Sequence, residues 1–186
     1  MKLNGIDIEL WESVKEDVRE DPEEARVIVR TAHRWVGGFG IQGHTKEVES
    51  AGEITPRAFE FRTDWPEEVG GANTGPSPGE AILGALAGCV GLSYVANAIN
   101  RGVEIGQLEI VIEARADLGS LFEAGDARPG FSSVKILVKV QSDADELTLA
   151  DLGRAATRTS AVFDSLVSPT PVTLDVETMG RSDRED

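Results

Sequence analysis

The stretch Thr74-Gly75-Pro76-Ser77-Pro78-Gly79-Glu80-Ala81-Ile82-Leu83-Gly84-Ala85-Leu86-Ala87-Gly88-Cys89, running on to Arg101-Gly102, decides how this chain is read. Ser77 suits an N-cap, Pro78 the first helical position, and Glu80 stands three residues after the cap, as a capping box requires. Arg101-Gly102 supplies the stop, a basic residue in the last turn followed by a C′ glycine. Between these signals no residue from Ala81 to Asn100 is charged. That length could cross a bilayer, but Gly84, Gly88, Gly91, Ser93, Asn97 and Asn100 dilute its apolarity. A helix buried in a protein core explains the same residues better, so no membrane span is expected. Its small residues, Ala81, Gly84, Ala85, Ala87, Gly88 and Gly91, lie on several faces and let neighbouring backbones approach. The spacing therefore predicts a central helix that other elements surround.

Outward from this helix the patterning changes to strands. Leu108, Ile110, Ile112 and Ala114 alternate with Glu109, Glu113 and Arg115, and Val134, Ile136, Val138 and Val140 alternate with Ser133, Lys135 and Lys139. Both are half-buried strands by period. Upstream, Val27-Ile28-Val29 and Ala58 to Arg62 carry strand signals, and Asp64 to Pro78 is a Gly/Pro-rich structured loop. Downstream, a helix is expected from about Asp145 to Thr159, a short helical turn near Val162 to Leu166, and a last strand from Pro171 to Glu177. The N-terminus reads as an amphipathic helix through Ile8, Trp11, Val14 and Val18, closed by Asp21-Pro22. Strands, one buried helix, then strands and helices make an α+β chain rather than alternating βαβ units. The expected divisions are an N-terminal helical extension over 1–25, the main domain over 26–179 and a disordered tail over 180–186.

Composition narrows the function. The chain has 186 residues, 40% hydrophobic and 27% charged, which is ordinary for a folded domain. Thirty-three acids against eighteen Lys and Arg give a formal charge of −15, which disfavours nucleic acid and anionic lipid as partners. One cysteine cannot form an internal disulfide, and the N-terminus lacks the apolar stretch of a signal peptide. A cytoplasmic protein is expected.

Any chemistry centres on that cysteine, Cys89. It lies mid-helix, away from the N-terminus that would stabilise a thiolate, and an unpaired cysteine in an apolar helix is commonly a small hydrophobe. Glu80, nine residues earlier, falls on the opposite side of the helix and about 13–14 Å along its axis, so it reads as a helix cap rather than a base for the thiol. His33 and His44 have no ligand spacing with each other or with Cys89, and no metal or cofactor is expected.

The quoted stretch, together with Asp64-Trp65-Pro66-Glu67, Gly70-Gly71, Arg101-Gly102-Val103, Pro129-Gly130-Phe131 and Ser160-Ala161-Val162-Phe163-Asp164, resembles the OsmC/Ohr family over roughly residues 26 to 177. The resemblance implies curved antiparallel sheets wrapped around a central buried helix, an intertwined homodimer, and a site at the dimer interface. Well-understood members are thiol-dependent peroxidases acting on organic hydroperoxides. By resemblance Cys89 matches the peroxide-attacking thiol, and Ser160 stands at the position of the resolving cysteine. Gly79 stands where the peroxidases place a catalytic glutamate. Phe39, after Gly37-Gly38, stands where they place an arginine, so Arg34 or Arg62 is the candidate substitute. These residues lead to three readings: a one-cysteine hydroperoxide reductase using Cys89 and an external thiol, a non-catalytic dimeric module whose interface pocket holds a small apolar ligand, or a stress-associated dimer in which Cys89 is only core filler.

Overall fold

The computed structural model describes residues 1–179; the expected disordered tail, 180–186, lies outside the described residues. A two-stranded hairpin, β1 (Lys2–Leu3) and β2 (Ile6–Asp7), precedes helix α1 (Ile8–Glu20), and a 3-10 turn (Pro22–Ala25) ends the N-terminal segment. Asp7 caps α1 by accepting from the Glu9 N–H. The hairpin was not anticipated from the sequence, because two-residue strands carry no periodicity. This segment docks on the far end of the central helix. The Asn4 side chain bridges the Val103 carbonyl and the Ile105 N–H, each at 2.9 Å, and Trp11 Nε1 donates to Asn100 Oδ1 at 2.9 Å.

An antiparallel sheet follows, made of β3 (Val27–Trp35), β4 (Ile41–Ser50), β5 (Glu53–Pro56) and β6 (Glu60–Thr63). Strand β4 is its centre and pairs with all three others. The sequence gives little sign of β4, since Gly43, His44, Lys46 and Glu47 interrupt any apolar alternation. Gly43 has a packing reason. It sits opposite both His33 and Phe61, whose rings meet with centroids 4.9 Å apart, and a Cβ there would collide with both.

Helix α2 (Pro78–Asn100) begins and ends where its caps predict. Ser77 accepts from the Glu80 N–H at 3.3 Å, and the Glu80 carboxylate accepts from the Ser77 N–H at 2.7 Å, a complete capping box. At the other end Gly102 adopts φ +67°, a left-handed conformation that glycine enters without a Cβ penalty. Strands β7 (Gln107–Ala116) and β8 (Phe131–Gln141) form an antiparallel hairpin, and helices α3 (Glu146–Thr159) and α4 (Ala161–Val167) complete the chain.

The core lies between α2, α3 and one face of the β7–β8 hairpin. Leu86, Val90, Tyr94 and Ala98 of α2 meet Leu152 and Ala156 of α3, with Leu108, Ile110, Ile112, Ile136, Val138 and Val140 of the hairpin packed beneath. The charged alternates face out, and Lys139 pairs with Glu109 across the strands at 3.0 Å. Tyr94, almost fully buried, donates its hydroxyl to the Leu149 carbonyl at 3.0 Å, so its polar end is satisfied.

Two expectations need correction at the level of the single chain. Helix α2 is covered on one side only. A Cβ built at Gly84 or Gly88 would meet nothing within 4 Å, and Leu92 is 69% exposed. The expected last strand over Pro171–Glu177 is not formed. Its alternating Val172, Leu174 and Val176 lie exposed, Val172 at 88%, and pair with no strand of this chain. Helix α2 is also the one helix among the described residues long and apolar enough to cross a membrane. Its buried residues pack on α3 and the hairpin, as expected of a core helix.

Candidate functional site

Cys89 is half-buried in the middle of α2. Its surroundings are set by the junction of α3 and α4. Ser160 ends α3 and caps α4, accepting from the Phe163 N–H at 3.2 Å. The junction is tied to α2 by Asn97. Asn97, two turns beyond Cys89, donates to the Ser93 carbonyl at 2.8 Å and to Thr159 Oγ1 at 3.0 Å. Thr159 precedes Ser160, so the packing of α2 on α3 fixes where the serine lies. Ser160 itself is 1% exposed.

The electrostatic result concerns the sulfur. Burial pushes the Cys89 thiol up, but the Ser160 side chain and the Val162 and Ala161 backbone N–H groups stabilise the thiolate and leave the thiol below its ordinary value. Because the Ser160 oxygen already accepts from Phe163, its hydroxyl proton is available to the sulfur. The thiol therefore has what its own helix cannot provide. Position along α2 argues against activation; the donors come from α4, far away in sequence. The backbone N–H groups of Ala161 and Val162 were missed by sequence reasoning. The available signal was the capping pattern Ser160-Ala161-Val162-Phe163, which marks a helix start but not what that start faces.

A cavity of about 770 Å³ opens beside this junction, between the first turns of α2, the β7–β8 hairpin and α4. Leu86, one turn before Cys89, and Phe163, next to Val162, form part of its wall, as do Ile82, Phe131 and Leu166. Trp65 closes another side and packs near Phe39 and Phe122, with ring centroids 5.3 and 6.0 Å away. The loop carrying Trp65 is organised by Asp64. Nearly buried, Asp64 accepts from the Trp65 N–H at 2.8 Å, the Thr74 hydroxyl at 2.5 Å and the Thr74 N–H at 3.2 Å. Those bonds, the Thr74 hydroxyl first, hold its carboxyl down to about 2.

The remaining sequence candidates lie elsewhere. The Glu80 carboxylate is taken up by the Ser77 hydroxyl and N–H, which also lower its pKa. Arg34, on β3, donates to Gln42 of β4 at 3.1 Å and does not line the cavity. Gly79, at the position of the peroxidases' glutamate, does line it and lies against Phe131. Among the described residues no cluster of three or more His, Cys, Asp or Glu side chains could hold a metal ion.

A helix carrying one cysteine, laid on an antiparallel hairpin and faced by the start of a second helix, defines a class of α+β proteins. Residues 70–175 match the sequence profile of the OsmC-like protein family, and the chain belongs to that family. No curated relative matches it. An OsmC-like protein from Mycoplasma pneumoniae has a similar fold, with a TM-score of 0.58 at 12% identity over 77% of this chain and 89% of that one. Legionella pneumophila OsmC, described as an organic hydroperoxide resistance protein, gives 0.50 at 13% identity over 75% and 88%. At these identities the likeness is one of fold.

Proposed function

We propose that this chain is a one-cysteine, thiol-dependent organic hydroperoxide reductase that works as a homodimer in the cytoplasm. The observation that carries the reading is the half-buried Cys89 with its thiolate stabilised by Ser160, Val162 and Ala161; Cys89 itself does not line the apolar cavity, whose wall includes Leu86, one turn earlier in α2, and Phe163. A thiolate is the nucleophile for peroxide chemistry, and buried cysteines without such donors are inert.

The Cys89 thiol gives its proton to solvent, and the thiolate attacks the terminal oxygen of the hydroperoxide. The O–O bond breaks, the sulfur keeps that OH as a sulfenic acid, and the alkoxide takes a proton back from solvent to leave as the alcohol. Ser160 cannot condense with that sulfenic acid as a cysteine would. An external low-molecular-weight thiol does so instead, releasing water and forming a mixed disulfide, and a second thiol returns Cys89 to its reduced form. The relatives' description as hydroperoxide resistance proteins supports the substrate class.

Three surfaces support the homodimer. The β3–β6 sheet exposes Val29 (58%) and Trp35 (70%), α2 leaves a face bare at Gly84, Gly88 and Leu92, and the alternating segment after α4 pairs with nothing. In such a dimer a partner arginine, with Arg34 as the sequence candidate, would meet the site.

The second reading is a dimeric module that binds a small apolar ligand without turnover. The cavity favours it, as does the fact that neither Arg30 nor Arg34 of β3 lines that cavity. Intact-mass analysis separates the two after brief exposure to a near-stoichiometric organic hydroperoxide, with Cys89→Ser and free cysteine as controls. Gain of one oxygen on Cys89, far faster than on free cysteine and reversed by added thiol, is the expected outcome. Reactivity no greater than that of free cysteine would sink the peroxidase and leave ligand binding.

A further inference from the structure

Asn97 lies in the interior of α2 between Ala96 and Ala98, where asparagine is a weaker helix former than its neighbours. Helix propensity does not account for it, but its bonds do. The amide nitrogen has two hydrogens and uses both, one on the Ser93 carbonyl at 2.8 Å and the other on Thr159 Oγ1 at 3.0 Å. A carbonyl only accepts, so the nitrogen of Asn97, and not its oxygen, faces this junction. The Thr159 hydroxyl in turn gives its proton to the Ala155 carbonyl at 3.1 Å, which leaves its oxygen free to accept from Asn97. The bonds therefore run in one direction, from α2 into the last turn of α3. Turning the amide over would set its oxygen against the Ser93 carbonyl.

That turn carries the groups that matter to the sulfur. Ser160 is both the C-cap of α3 and the N-cap of α4, with no residue between the two helices. A fixed Thr159 hydroxyl thus fixes, from one residue away, the Ser160 side chain and the start of α4, whose Ala161 and Val162 N–H groups stabilise the Cys89 thiolate. Asn97 itself stands eight residues beyond Cys89, about 12 Å along the helix axis. It acts on the sulfur only through α3 and α4, and it forms no part of the cavity wall.

We propose that Asn97 is a positioning residue for the chemistry of Cys89: its hydrogen bond to Thr159 holds Ser160 and the first turn of α4 against the sulfur. The catalytic consequence rests on the peroxidase reading, since loss of Asn97 would slow attack on a hydroperoxide by lowering the share of thiolate. The hold on the thiolate does not depend on turnover.

The test follows alkylation of Cys89 by iodoacetamide across pH in the full-length protein, which needs no peroxide. Asn97→Ala, a substitution that suits a helix, is expected to raise the pH midpoint and to slow alkylation at pH 7 by about threefold to tenfold, the scale of one hydrogen bond. Thr159→Val, close to threonine in shape, should do the same, and the double variant should do no more than either alone. Thr159→Ser keeps the hydroxyl and should behave as the wild type. Asn100→Ala is the control: it removes a bond to Trp11 from the next turn of the same helix and should leave the midpoint in place. An unmoved midpoint in Asn97→Ala or Thr159→Val, additive effects in the double variant, or an equal shift in Asn100→Ala would overturn the proposal. If Cys89 proves inert to peroxide while Asn97→Ala moves the midpoint, the peroxidase reading fails and the positioning role stands.

Discussion

The two halves of this molecule use apolar side chains in opposite ways. From α2 onward they converge: Leu86, Val90, Tyr94 and Leu152 are almost fully buried on the β7–β8 hairpin. In the β3–β6 sheet they do not. Val27, Ile28, Val29, Trp35 and Phe59 all stand exposed, and the sheet makes no extensive packing with α2, α3, α4 or the hairpin. One half contains its own core, and the other carries the composition of a core face with nothing laid on it. Exposed apolar surface on that scale marks an interface. The difference teaches that half of this chain is a finished fold, while the other half leaves an apolar face uncovered, which the proposed homodimer would cover.

The largest expected effect tests the finished half. Leu86→Ala removes a side chain from the closed core and should destabilise the protein by about 2–5 kcal/mol, read from the denaturant midpoint. If Val29→Ala cost as much in a dilute, demonstrably monomeric sample, the contrast between the halves would collapse. The unfinished half has its own signature. Val29→Asp should shift sedimentation equilibrium towards monomer and remove the dependence of Tm on protein concentration that a dimer shows. A wild-type Tm independent of concentration over a hundredfold range would instead leave the sheet without a second copy.

Ser160→Ala probes the junction that links the core to the site. Loss of the α4 cap should cost about 1 kcal/mol. Independently, the pH midpoint of Cys89 alkylation should rise, because a donor to the thiolate has gone. Ser160→Cys should place a second thiol beside Cys89, and peroxide should then produce a mass loss of two hydrogens rather than a gain of one oxygen. At the start of α2, Ser77→Ala should cost about 1 kcal/mol as well, while leaving the alkylation midpoint of Cys89 where it is.

The smallest effect is confined to acid. Asp64 has its carboxyl lowered from 3.8 to about 2 by the Thr74 and Trp65 hydrogen bonds. A lowered carboxylate stabilises the fold fully above its unfolded pKa and loses that contribution as pH falls through its folded one. Thermal unfolding of the wild type should therefore decline more steeply than that of Asp64→Asn between about pH 4 and pH 2. Parallel curves over that window would show that Asp64 does not organise the loop.

Elements with strong local signals were legible in the sequence. Both ends of α2 follow from Ser77, Pro78, Glu80 and Gly102, and β7 and β8 follow from an alternation that only Val111 and Leu137 interrupt. Strand β4 was not legible, because its place at the centre of the sheet depends on three pairings rather than on its own residues. The Pro171–Glu177 segment shows the reverse failure. Its alternation is strong, yet a strand exists only where an edge accepts it. At the site, Cys89 was picked out as the single cysteine and Ser160 only by resemblance, and nothing in their spacing joined them.

The sequence by itself determined the α+β class, the limits of the central helix, the capping role of Glu80 and membership of the OsmC-like family, because caps, periodicity and motif order are local properties of the chain. Tertiary structure alone decided that a cysteine in the middle of a helix has thiolate donors. That depends on Tyr94 and Asn97 holding α3 against α2, so that Ser160 and the first N–H groups of α4 arrive at the sulfur. Hydrogen bonds between residues so far apart in sequence form only once packing has brought their helices together.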